Sequence, residues 1–227
     1  MQTFATPAPI TAVLDIPAGR VRIIAADRAD TMVEVGPENA SKGRDVQAAE
    51  QCKVAYRDDD GNGVLRIEAP AAKGQYFGPS GSIEVTVRLP AGSRVEAKAS
   101  CAEFRAVGRL GDITVDGANG SIEIDEAAGV RLAAHAGDVA VGRLHGPAQI
   151  SIQKGDITIT EAGPGTVVLR TRMGDVSVGA APGVSASLNA GTGYGRIDNT
   201  LTNTDGGAAG LTVHATTDHG NISARSL

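Results

Sequence analysis

The segment Gly137–Val178 reads GDVAVGRLHGPAQISIQKGDITITEAGPGTVVLRTRMGDVSV and contains one short motif three times. Each copy is a Gly-Asp pair followed by alternating apolar and polar residues, and the copies are 18 and 19 residues apart. Strict alternation is typical of a strand with one buried and one exposed face. Glycine before the strand is typical of a tight turn, because it adopts positive φ without steric cost. The segment therefore predicts short strands that recur with a period of about 18 residues.

The motif continues on both sides in related forms, namely Gly120-Ser121-Ile122, Gly195-Arg196-Ile197 and Gly220-Asn221-Ile222. A second set of glycine turns lies half a repeat away, at Gly111, Gly129, Gly146, Gly165, Gly183 and Gly210. Each repeat is thus strand, turn, strand, turn, and it buries its apolar edge only by stacking on the next repeat. The sequence predicts an all-β protein with a parallel β-solenoid of about six short coils over residues 93–227. The competing fold, an antiparallel sandwich, does not require the same turn in every repeat.

Residues 1–92 show no clean repeat, and we expect them to form an irregular β-rich part that caps the first coil. A short helix is predicted near 45–51, with Asp45 as its cap. A turn is predicted at 58–63, and a loop at 71–81 whose Tyr76 and Phe77 plug the end of the core. The two parts, 1–92 and 93–227, are expected to form one continuous unit.

Composition narrows the classes of partner and compartment. The chain has 30 glycines and only 3% aromatic residues, which suits thin coils joined by tight turns. Its net charge of −5 argues against nucleic acid and anionic membranes as partners. The two cysteines fit a reducing compartment, and the start MQTFATPAPITAV lacks the pattern of a secretory signal. Since no window is long and apolar enough to span a membrane, a cytoplasmic location is expected.

Stacking of the coils aligns Asp138, Asp156 and Asp175 at about 4.8 Å spacing. One interpretation is that each carboxylate accepts backbone N–H groups in its own turn, with Arg196 neutralising the end of the row. The other is that a cation such as Ca²⁺ lies between the carboxylates. The glycine-rich nonapeptide of calcium-binding β-rolls is absent, so we expect a structural role, with no metal and no cofactor.

Other candidate chemistry is weak. His214 and His219 are at i and i+5, one residue more than the i, i+4 spacing of zinc ligands on a helix. No cysteine pair supports a zinc site. The glycines of Gly191–Gly195 resemble a nucleotide loop but lack the following helix. No nucleophile, metalloprotease or phosphate-binding motif occurs. The sequence therefore predicts that the protein is not an enzyme.

The best candidate surface lies on the strands that precede the Gly-Asp turns. Their outward positions include His135, Gln153, Arg170 and Arg172, and such parallel faces bind extended polymers or partner proteins. The chain stops at Leu227 just after its last strand, which predicts an open sheet edge there. We therefore expect a protein partner, or self-association as a homodimer through an uncapped C-terminal coil.

Two stretches carry a resemblance to a known family: IEVTVRLPAGSRVEAKAS at 83–100 and GRLGDITVDGANGSIEID at 108–125, followed by the repeated Gly-Asp motif. The chain resembles a bacterial family of unknown function labelled “putative adhesin”, most firmly from Ser82 to Asn221. The resemblance implies a β-solenoid on an irregular β-rich N-terminal part, with no enzyme activity and no catalytic residues.

These observations predict a non-enzymatic β-solenoid that acts as an interaction or scaffold module. One alternative is an adhesin-like or polymer-binding surface protein. A second is a carbohydrate-active β-helix enzyme, which needs a groove lined with acids and aromatic stacking platforms. The chain has only six aromatic residues, three Tyr and three Phe, which disfavours this second alternative.

Overall fold

The computed structural model describes residues 1–59, 61–70, 81–204 and 209–227. Within them the protein is nearly all-β, and no helix there is long and apolar enough to cross a membrane. The predicted loop with Tyr76 and Phe77, the centre of the turn at 58–63 and residues 205–208 lie outside the described residues. The elements are β1 (Gln2–Ala5), β2 (Thr11–Ala26), β3 (Asp30–Pro37), α1 (Gly43–Gln51), β4 (Lys53–Asp59), β5 (Asn62–Glu68), β6 (Ile83–Pro90), β7 (Arg94–Asn119), β8 (Ile122–Ala136), β9 (Val139–Leu144), β10 (Ala148–Lys154), β11 (Ile157–Ala162), β12 (Gly165–Met173), β13 (Val176–Ala180), β14 (Ala186–Tyr194), β15 (Ile197–Thr200), β16 (Leu211–His219) and β17 (Ile222–Ser226).

The chain forms two compact units, Met1–Gly120 and Ser121–Leu227. The division expected from the sequence, between residues 92 and 93, remains a prediction. In the first unit the long strand β2 is central. It pairs in parallel with β7 along one side and with β5 and β6 along the other. Strands β1, β3 and β4 add antiparallel pairings at the periphery.

Asp45 has a different role from the expected one. Helix α1 begins at Gly43, its N-cap is Lys42, and no side chain caps it. Asp45 lies in the first turn and is buried, and its carboxylate accepts a hydrogen bond from the backbone N–H of Ser82 at 3.0 Å. The prediction of Asp45 as the cap was therefore wrong, because the helix starts two residues earlier; the residue ties the helix to the start of β6.

The second unit consists of two sets of parallel strands, which confirms the predicted solenoid. We call one set the front sheet: residues 130–136 of β8, then β10, β12, β16 and β14 in spatial order. We call the other the back sheet: residues 122–127 of β8, then β9, β11, β13, β17 and β15. The inward residues alternate along each strand and are almost fully buried, as in Leu132, Ile150, Leu169 and Val213 of the front sheet and Ile122, Val139, Ile157, Val176 and Ile222 of the back sheet.

The last coil of the chain is not the last coil of the stack. Strand β16 lies between β12 and β14, and β17 lies between β13 and β15. The expectation of an uncapped C-terminal coil was therefore wrong: the outer coil is made of β14 and β15. The connection between the outer strand β15 and the inserted strand β16 is residues 201–210, of which 201–204, 209 and 210 are described. Its first residues are held in place where Ala186 N donates to Thr202 O at 3.0 Å and Thr202 N donates to Ser226 Oγ at 2.9 Å.

Candidate functional site

The aligned aspartates form a ladder of hydrogen bonds between coils. The backbone N–H of Asp156 donates to Asp138 Oδ1 at 2.9 Å, and that of Asp175 donates to Asp156 Oδ1 at 2.8 Å. The N–H of Asn221 then donates to Asp175 Oδ1 at 2.7 Å, and that of Arg196 donates to Asn221 Oδ1 at 3.0 Å. Each side chain thus serves the turn of the neighbouring coil, whereas the sequence interpretation placed these bonds within its own turn.

A column of glycines runs beside the ladder in the same order: Gly137, Gly155, Gly174, Gly220 and Gly195, with φ between 121° and 155°. A Cβ on Gly174 would lie 1.9 Å from the carbonyl oxygen of Gly155, which excludes every other residue type. Hydroxyl groups add a further bond in some of these turns, since Thr171 Oγ1 donates to the Gly155 carbonyl at 3.1 Å and Thr217 Oγ1 to that of Gly174 at 3.0 Å. The turns are therefore held by the close backbone contacts of the glycines together with side-chain bonds from Asp, Asn and Thr.

This geometry bears on the cation interpretation. The Oδ1 atoms of Asp138, Asp156 and Asp175 each accept a backbone N–H, so the carboxylates have donors without a metal. Across the described ranges, no group of three or more His, Cys, Asp or Glu side chains is placed to hold a metal ion. Arg196 does not lie beside Asp175 as expected, because Asn221 occupies the position between them.

The four residues of the predicted interaction face all lie on the outer surface of the front sheet. His135 Nδ1 and Gln153 Nε2 are 3.1 Å apart, and Arg172 lies in the same row across the strands. The row continues on β16 with Asp218, whose Oδ2 is 3.7 Å from Arg172 Nε. The sequence interpretation missed Asp218, because the order of the chain does not place β16 beside β12.

Arg170 occupies the neighbouring row, between Ser151 of β10 and Thr216 of β16. Arg170 is exposed, and its neighbours in this row are these two small polar side chains. The Arg172–Asp218 pair has side chains that are 72% and 66% exposed, so solvent screens it and it contributes little to stability. Both guanidinium groups therefore remain accessible to a ligand.

The remaining sequence candidates are not brought together. His219 stacks on Tyr194, with ring centroids 5.0 Å apart, and His145 Nε2 lies 2.8 Å from Glu126 Oε1. Residues 191–195 form the end of β14 and the turn into β15, so no helix follows them as a nucleotide site requires.

The outer coil carries a surface that the sequence interpretation did not identify. Ile197 lies in register with the buried Ile222 but is 46% exposed, and Tyr194 is 75% exposed. The only sequence signal for this surface is the longer spacing of the last two motifs, which marks the return connection.

Comparisons with known proteins give a family and a set of structures. The family model described as Toastrack DUF4097 matches residues 13–226. No curated protein matches the chain significantly. A “putative cell adhesion protein” from Clostridium sporogenes is 12% identical, with 100% of this chain and 98% of that chain covered and a TM-score of 0.45. A “putative adhesin” from Bacteroides fragilis is 15% identical, with 98% and 95% covered and a TM-score of 0.44. Another from Parabacteroides distasonis is 14% identical, with 98% and 95% covered and a TM-score of 0.46.

Proposed function

The chain belongs to the Toastrack DUF4097 family, and we propose that this member is a non-enzymatic binding module that engages a protein partner through its front sheet. The observation that carries the proposal is the placement of His135, Gln153, Arg170 and Arg172 on one exposed, flat surface. Parallel strands hold these side chains in rows, so an extended ligand can cross several coils without a change of register.

The charge of this surface favours an acidic segment of the partner. The outward positions of the described front-sheet strands carry three arginines, Arg131, Arg170 and Arg172, and one carboxylate, Asp218. The chain as a whole has a net charge of −5, so the front sheet is a local basic area on an acidic protein. Arginine binds carboxylates in bidentate fashion, which gives such an area both attraction and orientation.

The same surface bears on the alternatives. A linear anionic polymer carries charge of the same sign as an acidic peptide. Treatment with glycosidases or nucleases distinguishes these two kinds of ligand. A carbohydrate-active site needs aromatic platforms, and no outward position of the described front-sheet strands carries Phe, Tyr or Trp. We therefore favour a protein partner over an anionic polymer or a carbohydrate substrate.

The experiment compares two double variants with the same change of charge. Arg170→Glu with Arg172→Glu reverses the charge at two positions of the front sheet. Arg57→Glu with Arg225→Glu reverses the charge at two exposed positions outside the front sheet. We expect proteins captured from the native host, quantified by mass spectrometry, to fall about tenfold for the first variant only. Protein capture that is equal for both variants would contradict the proposal. So would capture lost on treatment with glycosidases or nucleases, which would assign the face to a polymer.

A further inference from the structure

The outer coil presents two strand edges to which no strand of the described chain is paired. Within the described residues, β14 pairs with β16 and no other strand, and β15 pairs with β17 and no other strand. At the start of β14 the N–H of Ala186 already donates to Thr202 O, so the edge of β15 is the more open of the two. On β15 the carbonyl of Arg196 accepts the N–H of Ile222 at 2.9 Å, so the backbone groups of Arg196 point into the stack. Because successive residues of a strand point in opposite directions, the N–H and C=O groups of Ile197 point outward at the edge. This edge is a template for another strand.

The same coil leaves the end of the apolar core open. Ile197 continues the column of Val176 and Ile222, which are each 1% exposed, yet it is 46% exposed itself. Tyr194, at the end of β14, is 75% exposed. Apolar side chains beside an open edge favour an occupant that brings both a strand and an apolar surface.

The edge of β15 is complementary to itself. In an antiparallel pair centred on Ile197, the two copies of Ile197 face each other and exchange backbone hydrogen bonds. Arg196 then lies opposite Asp198 of the second copy, and two-fold symmetry creates this pair twice. It is a non-hydrogen-bonded pair, in which opposite side chains approach most closely, at about 4.5–5.5 Å between Cβ atoms.

A second copy could instead stack head-to-tail on the outer coil and continue the solenoid. The ladder of hydrogen bonds in the Gly-Asp turns argues against this arrangement. Each coil inside the stack offers a side-chain oxygen to the next backbone N–H, as Asn221 does for Arg196. The Arg196 side chain has no acceptor atom, so the ladder ends there and a further coil stacked in the same direction would lack this hydrogen bond. A two-fold contact needs no continuation of the ladder and closes on itself.

We infer that two copies of this chain form a two-fold dimer through the outer coil, with their β15 strands antiparallel and Arg196 paired with Asp198 of the second copy. The dimer uses the end of the stack and is independent of partner binding at the front sheet.

The test is sedimentation equilibrium or light scattering over a series of protein concentrations. We expect Arg196→Asp and Asp198→Arg each to weaken the dimer at least about tenfold, because two attractive pairs become repulsive. The double variant Arg196→Asp/Asp198→Arg restores the pairs with their charges exchanged, so its dissociation constant should return to near that of the unmodified chain. Arg225→Asp, an exposed residue on the neighbouring strand β17, is the matched control for charge and should leave dimerisation unchanged.

Three results would overturn the inference. The first is that the unmodified chain stays monomeric at the highest concentration at which it is monodisperse. The second is that the double variant dissociates as much as either single variant. The third is that the assembly grows beyond two copies. Melting curves of each variant by circular dichroism establish that a loss of dimer is not a loss of folding.

Discussion

At the residue scale, the ladder needs an acceptor oxygen in each turn and does not need a charge. Asn221 shows this directly, because its Oδ1 accepts the N–H of Arg196 just as Asp156 Oδ1 accepts that of Asp175. An asparagine side chain can therefore supply the same acceptor oxygen as an aspartate side chain in these turns. The repeated Asp is better explained by turn geometry than by a ligand.

We expect Asp156→Asn to leave the free energy of unfolding nearly unchanged, and Asp156→Ala to lower it by about 1 kcal/mol, since one backbone N–H loses its partner. Urea unfolding monitored by circular dichroism measures both values. A cation bridge between the carboxylates predicts a different pattern, in which Asp156→Asn is as harmful as Asp156→Ala and EDTA lowers the melting temperature of the unmodified chain.

At the scale of elements, the Gly-Asp turns were sufficient to predict parallel coils, since each turn is followed by an alternating strand. They were insufficient to predict the order of the last coils, because Gly195-Arg196-Ile197 and Gly220-Asn221-Ile222 satisfy the same pattern. The difference lies in the middle residue. Asn221 donates its N–H to Asp175 and accepts from Arg196, so it fits inside the ladder, whereas arginine, which accepts nothing, fits only at its end.

The strand order has a direct consequence for hydrogen exchange. Strand β16 is bonded to neighbouring strands on both sides, whereas residues 188–194 of β14 pair with a described strand on one side, that of β16. We expect the backbone amides of 211–219 to exchange far more slowly than those of 188–194, because exchange from β16 requires the stack to open. Mass spectrometry of peptic fragments measures this at a protein concentration low enough to keep the chain monomeric. A stack in chain order would show the reverse, with fast exchange in β16.

At the scale of the whole molecule, the candidate surfaces differ in how far the sequence could reveal them. The face with His135, Gln153, Arg170 and Arg172 was predictable, because all four residues lie on strands that stack in chain order. Asp218 and the outer coil with Ile197 were not, because both depend on the insertion of β16 and β17. The alternation of apolar and polar residues along a strand indicates which side chains face outward. Which side chains are neighbours across strands depends on the order of the strands in the sheet.

The stability of the whole chain should also respond to alkaline pH through Cys52. This thiol follows helix α1 and is half-buried, and desolvation by burial raises its pKa from 9.0 to about 11. Below pH 9 the thiol is protonated in both the folded and the unfolded chain. Between about pH 9 and 11 the unfolded chain has lost this proton while the folded chain retains it, so the free energy of unfolding falls as the pH rises. Burial also raises the pKa of Tyr56, with the charge of Asp58 as a smaller cause, and this acts in the same direction.

The variant Cys52→Ser isolates the contribution of the thiol, because serine has a similar size and no proton to lose in this range. We expect urea unfolding to show a steeper loss of stability above pH 9 for the unmodified chain than for Cys52→Ser, with the two curves parallel below pH 9. The exposed Cys101 provides the control, since Cys101→Ser should keep the full alkaline slope. Equal slopes for all three proteins would mean that the folded chain does not protect the Cys52 thiol from ionisation, and that the environment at the end of α1 opens to solvent before the rest of the fold.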